Sequence, residues 1–132
     1  MKIVPEQTGN FYFSSFGYFL PLDSAIAMYN RPDNKEFKDA GLFPLMANYI
    51  GDYVFININI KDKNRGKIYC YSPALFDIKP EIAFDNIEAL FGMIEECYTQ
   101  GVYKEDKKEG LIVDYDKEAV IIRKYSKAPY WK

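Results

Sequence analysis

A pair of alternating segments, residues 51–60 and 66–73, constrains the fold of this chain more than any other feature. In an extended strand, side chains two residues apart share one side, so each segment has two chemically different sides. Residues 61–65 connect the segments and form a loop too long for a two-residue turn. The pattern predicts a β-hairpin. Its aliphatic side, predicted to lie in the core, contains Val54, Ile56, Ile58, Ile60, Ile68 and Cys70, and its second side contains Tyr53, Phe55, Asn57, Asn59, Tyr69 and Tyr71.

The second side of this hairpin has two interpretations that the sequence leaves open. If it faces solvent, its aromatic rings form one patch that binds a protein partner, because large aromatics are the usual anchors of interfaces. If helices cover it, the hairpin is scaffold, and the binding surface is expected on the acidic face of a following helix. Both sets are candidate partner-binding residues: Tyr53, Phe55, Tyr69 and Tyr71 on the hairpin, and Glu88, Glu95 and Glu96 on the helix.

The clearest helix of the chain follows Asp85. Asp85 and Glu88 form an acidic variant of the capping box, and an apolar stripe then continues toward Gly101, where a glycine can end the helix. The three candidate glutamates lie away from this stripe, on the predicted outer face. The stripe consists of Ile87, Leu90, Phe91, Ile94 and Tyr98.

Weaker patterns predict the remaining elements. Residues 11–20 are expected to be extended, residues 42–49 are apolar but ambiguous, and residues 111–113 form a short strand. Asp23 or Ser24 can cap a short helix over residues 25–30, and Asp116 can cap a final helix over residues 117–125. Tyr130 and Trp131 are expected to pack the tail down. The predicted fold is α+β, an antiparallel sheet with a central hairpin packed against a few helices.

The composition predicts one domain, residues 1–132, that does not bind nucleic acid. Hydrophobic residues make up 48% of the chain, the formal charge is -2, and lysines and acids are interleaved, so no basic face tracks phosphates. Residues 7–22 match a signal peptide poorly, and no segment approaches the ~20 apolar residues of a membrane span. Cys70 and Cys97 occupy apolar positions typical of free thiols, although a disulfide between them stays open. A cytoplasmic protein without membrane contact is therefore expected.

The residues that usually perform catalysis are scarce in this sequence. It contains no histidine, which removes Ser-His-Asp and Cys-His catalysis and the common zinc sets. It also lacks the glycine-rich patterns of the standard phosphate loops. We therefore expect no enzyme activity, no metal and no cofactor. Catalysis by two carboxylates, as in a hydrolase such as a glycosidase, is kept as the third alternative.

The order of the elements resembles the SUKH superfamily, which includes yeast cell-wall synthesis regulators and many bacterial toxin-immunity proteins. The resemblance rests on the glycine-led strand of residues 51–58, a second strand entering through Gly66-Lys67-Ile68-Tyr69, and a helix opened by Phe84-Asp85. A strand with Leu-Pro before a short helix, residues 18–23, and the aromatic end of residues 125–131 are also similar to the family. The likeness covers roughly residues 16–131.

This resemblance implies a non-catalytic binding protein. Immunity members of the superfamily neutralise a cognate toxin, often a nuclease, by direct protein–protein binding. The expected function is therefore that of a bacterial immunity protein with a toxin as its partner. A regulatory or scaffold interaction module of the cell-wall-regulator type is the alternative, and the gene immediately upstream separates the two.

Two departures from the family pattern carry further expectations. Asn57 stands where many members have an aspartate, so a role that needs a carboxylate there does not transfer. The usual N-terminal helical segment has no counterpart before Asn10, which implies either a shortened domain or a start downstream of the natural one. Apolar area uncovered by that loss would favour self-association, so a homo-oligomer is expected.

Overall fold

The computed structural model describes residues 12–131, and within them the predicted α+β class is confirmed. Four helices, a five-stranded sheet and a separate two-stranded hairpin make up this part of the chain. In chain order the elements are β1 (Tyr18–Phe19), α1 (Leu22–Tyr29), a 3-10 turn (Pro32–Asn34), α2 (Lys35–Asp39), β2 (Leu42–Ala47), β3 (Tyr53–Asn57), β4 (Ile68–Tyr71), a second 3-10 turn (Pro73–Leu75), β5 (Glu81–Phe84), α3 (Ile87–Thr99), β6 (Tyr103–Asp106), β7 (Gly110–Val113) and α4 (Tyr115–Tyr125).

Strands β1 to β5 pair in sequence order, and each neighbouring pair is antiparallel. The predicted hairpin is β3 with β4. Its register places Tyr53 opposite Tyr71 and Val54 opposite Cys70. Since directly opposed residues share a side of the sheet, the tyrosines lie together on one side and the aliphatic residues on the other. Strands β6 and β7 form the separate hairpin.

The main core lies between the aliphatic side of the sheet and helices α3 and α4. Its buried members come from the sheet strands, from both helices and from the start of β6. Burial of this apolar surface is the principal source of stability in a domain of this size. The core contains Met46, Val54, Ile68, Cys70, Ala83, Phe84, Leu90, Met93, Ile94, Cys97, Val102, Tyr103, Ile121 and Ile122.

Two residues of the predicted aliphatic side are not in the core. Ile58 is 45% exposed and Ile60 is 76% exposed, because β3 ends at Asn57. The buried Asn57 side chain accepts a hydrogen bond from the Asn59 backbone N–H at 2.9 Å and donates one to Asp62 at 3.1 Å. These bonds give the backbone a turn in place of the next strand residues. The prediction for Ile58 and Ile60 was therefore wrong.

The second side of the hairpin is partly covered by α2, an element that the sequence patterns did not predict. Phe37 of α2 packs against Phe55, with ring centroids 5.1 Å apart, and against Tyr71 at 5.6 Å. Phe55 is 2% exposed, whereas Tyr53, Tyr69 and Tyr71 keep part of their surface accessible. The second side is therefore core at Phe55 and remains accessible at the tyrosines.

Helix α3 is confirmed, but its cap is Asn86 and not Asp85. The Asn86 side chain accepts a hydrogen bond from the Ala89 backbone N–H at 2.8 Å, which satisfies one of the free donors of the first turn. Asp85 instead lies 3.7 Å from the Lys67 ammonium group. Phe91, predicted in the apolar stripe, is 44% exposed.

The other two predicted helices begin earlier than expected. Asp114 caps α4 by accepting from the Lys117 backbone N–H at 3.2 Å, so Asp116 lies within the first turn. Helix α1 begins at Leu22, directly after Pro21, and includes the predicted cap residues Asp23 and Ser24. Residues 42–49, left ambiguous by the sequence, contain β2. The part of the predicted extended segment before Tyr12 lies outside the described residues.

The C-terminal tail packs against the sheet, as predicted. The Trp131 indole N–H donates to the Ala83 carbonyl at 2.7 Å, and the Tyr130 hydroxyl donates to Asp77 at 2.9 Å. Cys70 and Cys97 are both buried free thiols. Across residues 12–131, no helix has both the length and the apolar character needed to cross a bilayer.

Candidate functional site

A groove of about 860 Å³ lies at the end of β4, and we call it the tyrosine groove. It lies between the connection from β4 to β5, residues 72–80, and the tail, residues 129–131. Strand β5 begins at Glu81 opposite Cys70, so Tyr71 extends beyond the β5 register. This offset leaves the end of β4 uncovered. Five tyrosines line the groove: Tyr53, Tyr69, Tyr71, Tyr115 and Tyr130.

A network of hydrogen bonds around Ser72 forms the polar part of the tyrosine groove. The Ser72 hydroxyl donates to Asp52 at 2.9 Å, and its backbone N–H donates to Asp77 at 2.8 Å. Asp77 also accepts from Tyr130, and Asp52 also accepts from the Asn48 amide at 2.9 Å. Each carboxylate is therefore held in position by neutral donors.

Burial and the two carboxylates shift the pKa values of the groups beside this network. Burial, the nearby Cys70 thiol and the hydrogen bond to Asp77 raise the pKa of Tyr130. Complete burial, followed by the negative charges of Asp77 and Asp52, raises the pKa of Cys70 far above its ordinary value. Cys70 therefore stays a thiol at neutral pH, and a buried thiol of this kind is a poor nucleophile.

An exposed apolar loop, residues 73–79, borders the tyrosine groove. Leu75 is 74% exposed, Phe76 is 91% exposed and Ile78 is 94% exposed. The loop is braced from inside, because the Leu75 N–H donates to the Ser72 carbonyl and the Asp77 N–H donates to the same carbonyl at 3.1 Å. The bracing holds three apolar side chains in solvent.

Phe76 has an unusual backbone conformation at the tip of the apolar loop. Its φ of 68° lies in the left-handed region, which costs a non-glycine residue about 1 to 2 kcal/mol. Such conformations persist only where surrounding contacts maintain them, and they occur preferentially at functional sites. Phe76 therefore combines a strained backbone with an exposed aromatic side chain.

The sequence-predicted site residues separate into three groups. Tyr53, Tyr69 and Tyr71 line the tyrosine groove, while Phe55 is buried beneath Phe37. The hairpin patch is therefore smaller than predicted, because one of its four rings belongs to the interior.

The helix acids lie apart from the tyrosine groove. Glu88 and Glu95 are exposed on α3, as predicted, and neither lines the groove. Glu96 accepts hydrogen bonds from Lys124 and from the Tyr125 hydroxyl, which joins α3 to α4 and lowers the pKa of Glu96. Glu96 therefore links two helices.

The sequence patterns missed the apolar loop. The signal was present in Pro73-Ala74-Leu75-Phe76-Asp77-Ile78-Lys79-Pro80, where two prolines bracket three large apolar residues. Prolines at such positions disfavour continued strand or helix, which marks a loop. Apolar residues in a strand are usually buried in the core of the sheet. Apolar residues in a loop between prolines are therefore a stronger indication of a contact surface.

Comparison with known protein families, curated proteins and solved structures found no match. The candidate site therefore rests on its own geometry. Within residues 12–131, no group of three or more histidine, cysteine, aspartate or glutamate side chains is arranged to hold a metal ion.

A second polar cluster lies inside the core and reaches the tyrosine groove only through Ser15. The Tyr103 hydroxyl donates to the Glu118 carboxyl, and Ser15 lies 3.5 Å from the same hydroxyl. Burial raises the pKa of Glu118, and burial together with the Glu118 charge raises the pKa of Tyr103. Neither Tyr103 nor Glu118 lines the groove, so this cluster joins β6 to α4 inside the molecule.

Proposed function

We propose that this protein is a non-catalytic binding protein that neutralises a toxin by direct protein–protein binding. The observation that carries the proposal is the apolar loop, where Leu75, Phe76 and Ile78 are each at least 74% exposed beside the tyrosine groove. Exposed apolar side chains next to tyrosines have the composition of an interface centre. The resemblance to the SUKH superfamily supports a toxin as the partner.

The expected strength of this contact follows from the exposure of the loop. Fully burying a large apolar side chain contributes about 1.5 to 3 kcal/mol, and Phe76 and Ile78 have nearly all of their surface free. Because the loop is already braced by Ser72 and Asp77, binding does not have to order it first. A preorganised apolar contact of this kind favours tight association.

The direct test is binding to the protein encoded immediately upstream, measured by isothermal titration calorimetry and by rescue of growth when that protein is toxic. Phe76→Ser is expected to weaken binding by about 2 kcal/mol, or roughly 30-fold in Kd. Ile60→Ser is the matched control, because Ile60 is 76% exposed at the opposite end of the β3–β4 hairpin. The control variant should bind like the wild type.

Two results contradict the proposal. If the wild-type protein neither binds nor neutralises a toxin encoded upstream, the immunity role is wrong. If Phe76→Ser and Ile60→Ser weaken binding equally, the apolar loop is not the contact surface. A gene that stands alone, with a non-toxic protein captured through the loop, favours the regulatory or scaffold alternative.

A further inference from the structure

The tyrosine groove carries an excess of negative charge that the described residues do not neutralise. Asp52, Asp77 and Glu81 line it together with a single cation, Lys79. Three carboxylates against one ammonium group leave a formal charge of -2 in the groove. Throughout residues 12–131, no ion pair within 4.0 Å includes any of these four side chains.

The carboxylates are accessible to a ligand. Glu81 is exposed at the start of β5, and Asp52 and Asp77 are half-buried within the lining. Asp77 Oδ2 accepts from Ser72 and Tyr130. These donors are neutral, so the negative charge of the carboxylates is retained. The field of this charge contributes to the raised pKa of Tyr130.

The walls around these carboxylates are aromatic and apolar. Tyr53, Tyr69 and Tyr71 line one part, Tyr130 and Trp131 line another, and Leu75 lines the side that joins the apolar loop. Tyrosine and tryptophan faces attract cations, and this attraction strengthens as water is excluded. Carboxylates beside aromatic rings thus favour a cationic group, and above all the planar guanidinium of arginine, which stacks on rings and pairs with carboxylates.

We propose that the tyrosine groove binds an arginine-bearing segment of the protein partner, with apolar residues of that segment packed on the apolar loop. This inference rests on the proposed function and specifies the chemistry of the partner surface. A volume of about 860 Å³ accommodates a short stretch of peptide, and the charge of the lining selects its cationic member. The partner contact is accordingly basic at its centre and apolar at its border.

The test uses isolated peptides and therefore does not need the partner. Acetyl-Leu-Arg-Leu-amide is titrated into the ¹⁵N-labelled protein and compared with the same peptide carrying citrulline, the uncharged analogue of arginine. The arginine peptide is expected to shift the backbone amides of residues 69–72, 75–79, 81–82 and 130–131. It should bind at least about threefold more tightly than the citrulline peptide.

Variants of single acids locate the contact. Glu81→Gln is the principal variant, because no hydrogen bond or ion pair of the Glu81 side chain exists among residues 12–131, so its loss does not disturb the loop. It should weaken binding of the arginine peptide about threefold. Glu88→Gln is the matched control, an exposed acid on α3 outside the groove, and should leave binding unchanged.

The outcomes separate this inference from the proposed function. No shifts at about 10 mM arginine peptide, or equal binding of the citrulline peptide, overturn the inference while the calorimetric result with the upstream protein stands on its own. Shifts in the protein alone that grow with concentration and vanish in Phe76→Ser identify a second copy as the occupant, which also overturns it. Weaker binding of the arginine peptide by Glu81→Gln, with unchanged binding by Glu88→Gln, supports the inference.

Discussion

Truncation of Phe55 tests whether the second side of the hairpin is core. Phe55 is 2% exposed and packs against Phe37 of α2 and against Tyr53, with ring centroids 5.1 Å and 5.7 Å apart. Removing a buried phenylalanine ring typically costs about 3 to 5 kcal/mol in the free energy of unfolding. At about 4 °C per kcal/mol for a chain of this size, Phe55→Ala should lower the Tm by roughly 12 to 20 °C.

The assay is urea unfolding followed by far-ultraviolet circular dichroism, with thermal melting as a second measurement. Tyr69→Ala serves as the comparison, because Tyr69 lines the tyrosine groove, is only partly buried, and should lose about 1 kcal/mol. A double variant of Phe55 and Phe37 should destabilise by less than the sum of the single changes, since both remove one ring contact. A Phe55→Ala protein that melts within a few degrees of the wild type would refute the burial argument.

Three further tests concern the buried carboxyl Glu118, the backbone at Gly17 and the cap of α3. Burial raises the pKa of Glu118, so the protonated carboxyl is favoured in the folded state and stability falls as the pH rises through that raised pKa. Glu118→Gln should remove this fall and be more stable than the wild type at about pH 8, as urea titrations at several pH values will show. Gly17→Ala should lower the free energy of unfolding by about 3 kcal/mol, because φ is 118° and a Cβ would lie 1.9 Å from the Ala47 carbonyl oxygen. Thermal melting measures this loss. Asn86→Ala should cost about 1 kcal/mol through the lost cap of α3, whereas Asp85→Ala should be nearly neutral, and equal losses in the two would contradict the cap assignment.

The features that the sequence predicted correctly depend on local periodicity. A period of two residues assigned Val54 and Tyr53 to opposite sides of β3, and a helical stripe through Leu90 and Ile94 located α3. Both periods are properties of a single strand or helix, so they need no knowledge of distant contacts. The fold class was predicted correctly because a hairpin followed by a helix already indicates an α+β fold.

The features that the sequence did not predict depend on side-chain contacts that a periodic pattern does not register. Ile58 continues the alternation of β3, but the Asn57 side chain bonds the Asn59 backbone N–H and Asp62, which turns the chain after β3. Helix α2 has one large apolar residue, Phe37, and no periodic stripe, so only the underlying Phe55 explains its position. At the α3 cap, two adjacent residues can both cap a helix, and the backbone decides between them.

The candidate site was predicted only in part for the same reason. Tyr53, Tyr69 and Tyr71 were identified because strand geometry places them on one side. Phe76 was not, because nothing in the local pattern tells an apolar residue held in solvent from one that enters a core. The Ser72 backbone N–H bonds Asp77 within the same connection, and the Ser72 hydroxyl bonds Asp52 before β3, and periodicity does not register either bond.

Trp131 gives the molecule a built-in optical probe. It is the single tryptophan of the chain, and it lines the tyrosine groove while its indole N–H is bonded to the Ala83 carbonyl. Its ring centroid lies 4.8 Å from Tyr130, 5.5 Å from Phe84 and 5.8 Å from Phe16. Any molecule that enters the groove changes the solvation of this fluorophore, so the emission wavelength of unlabelled protein reports occupancy. The same emission also responds to detachment of the tail from β5, because the indole N–H is bonded there.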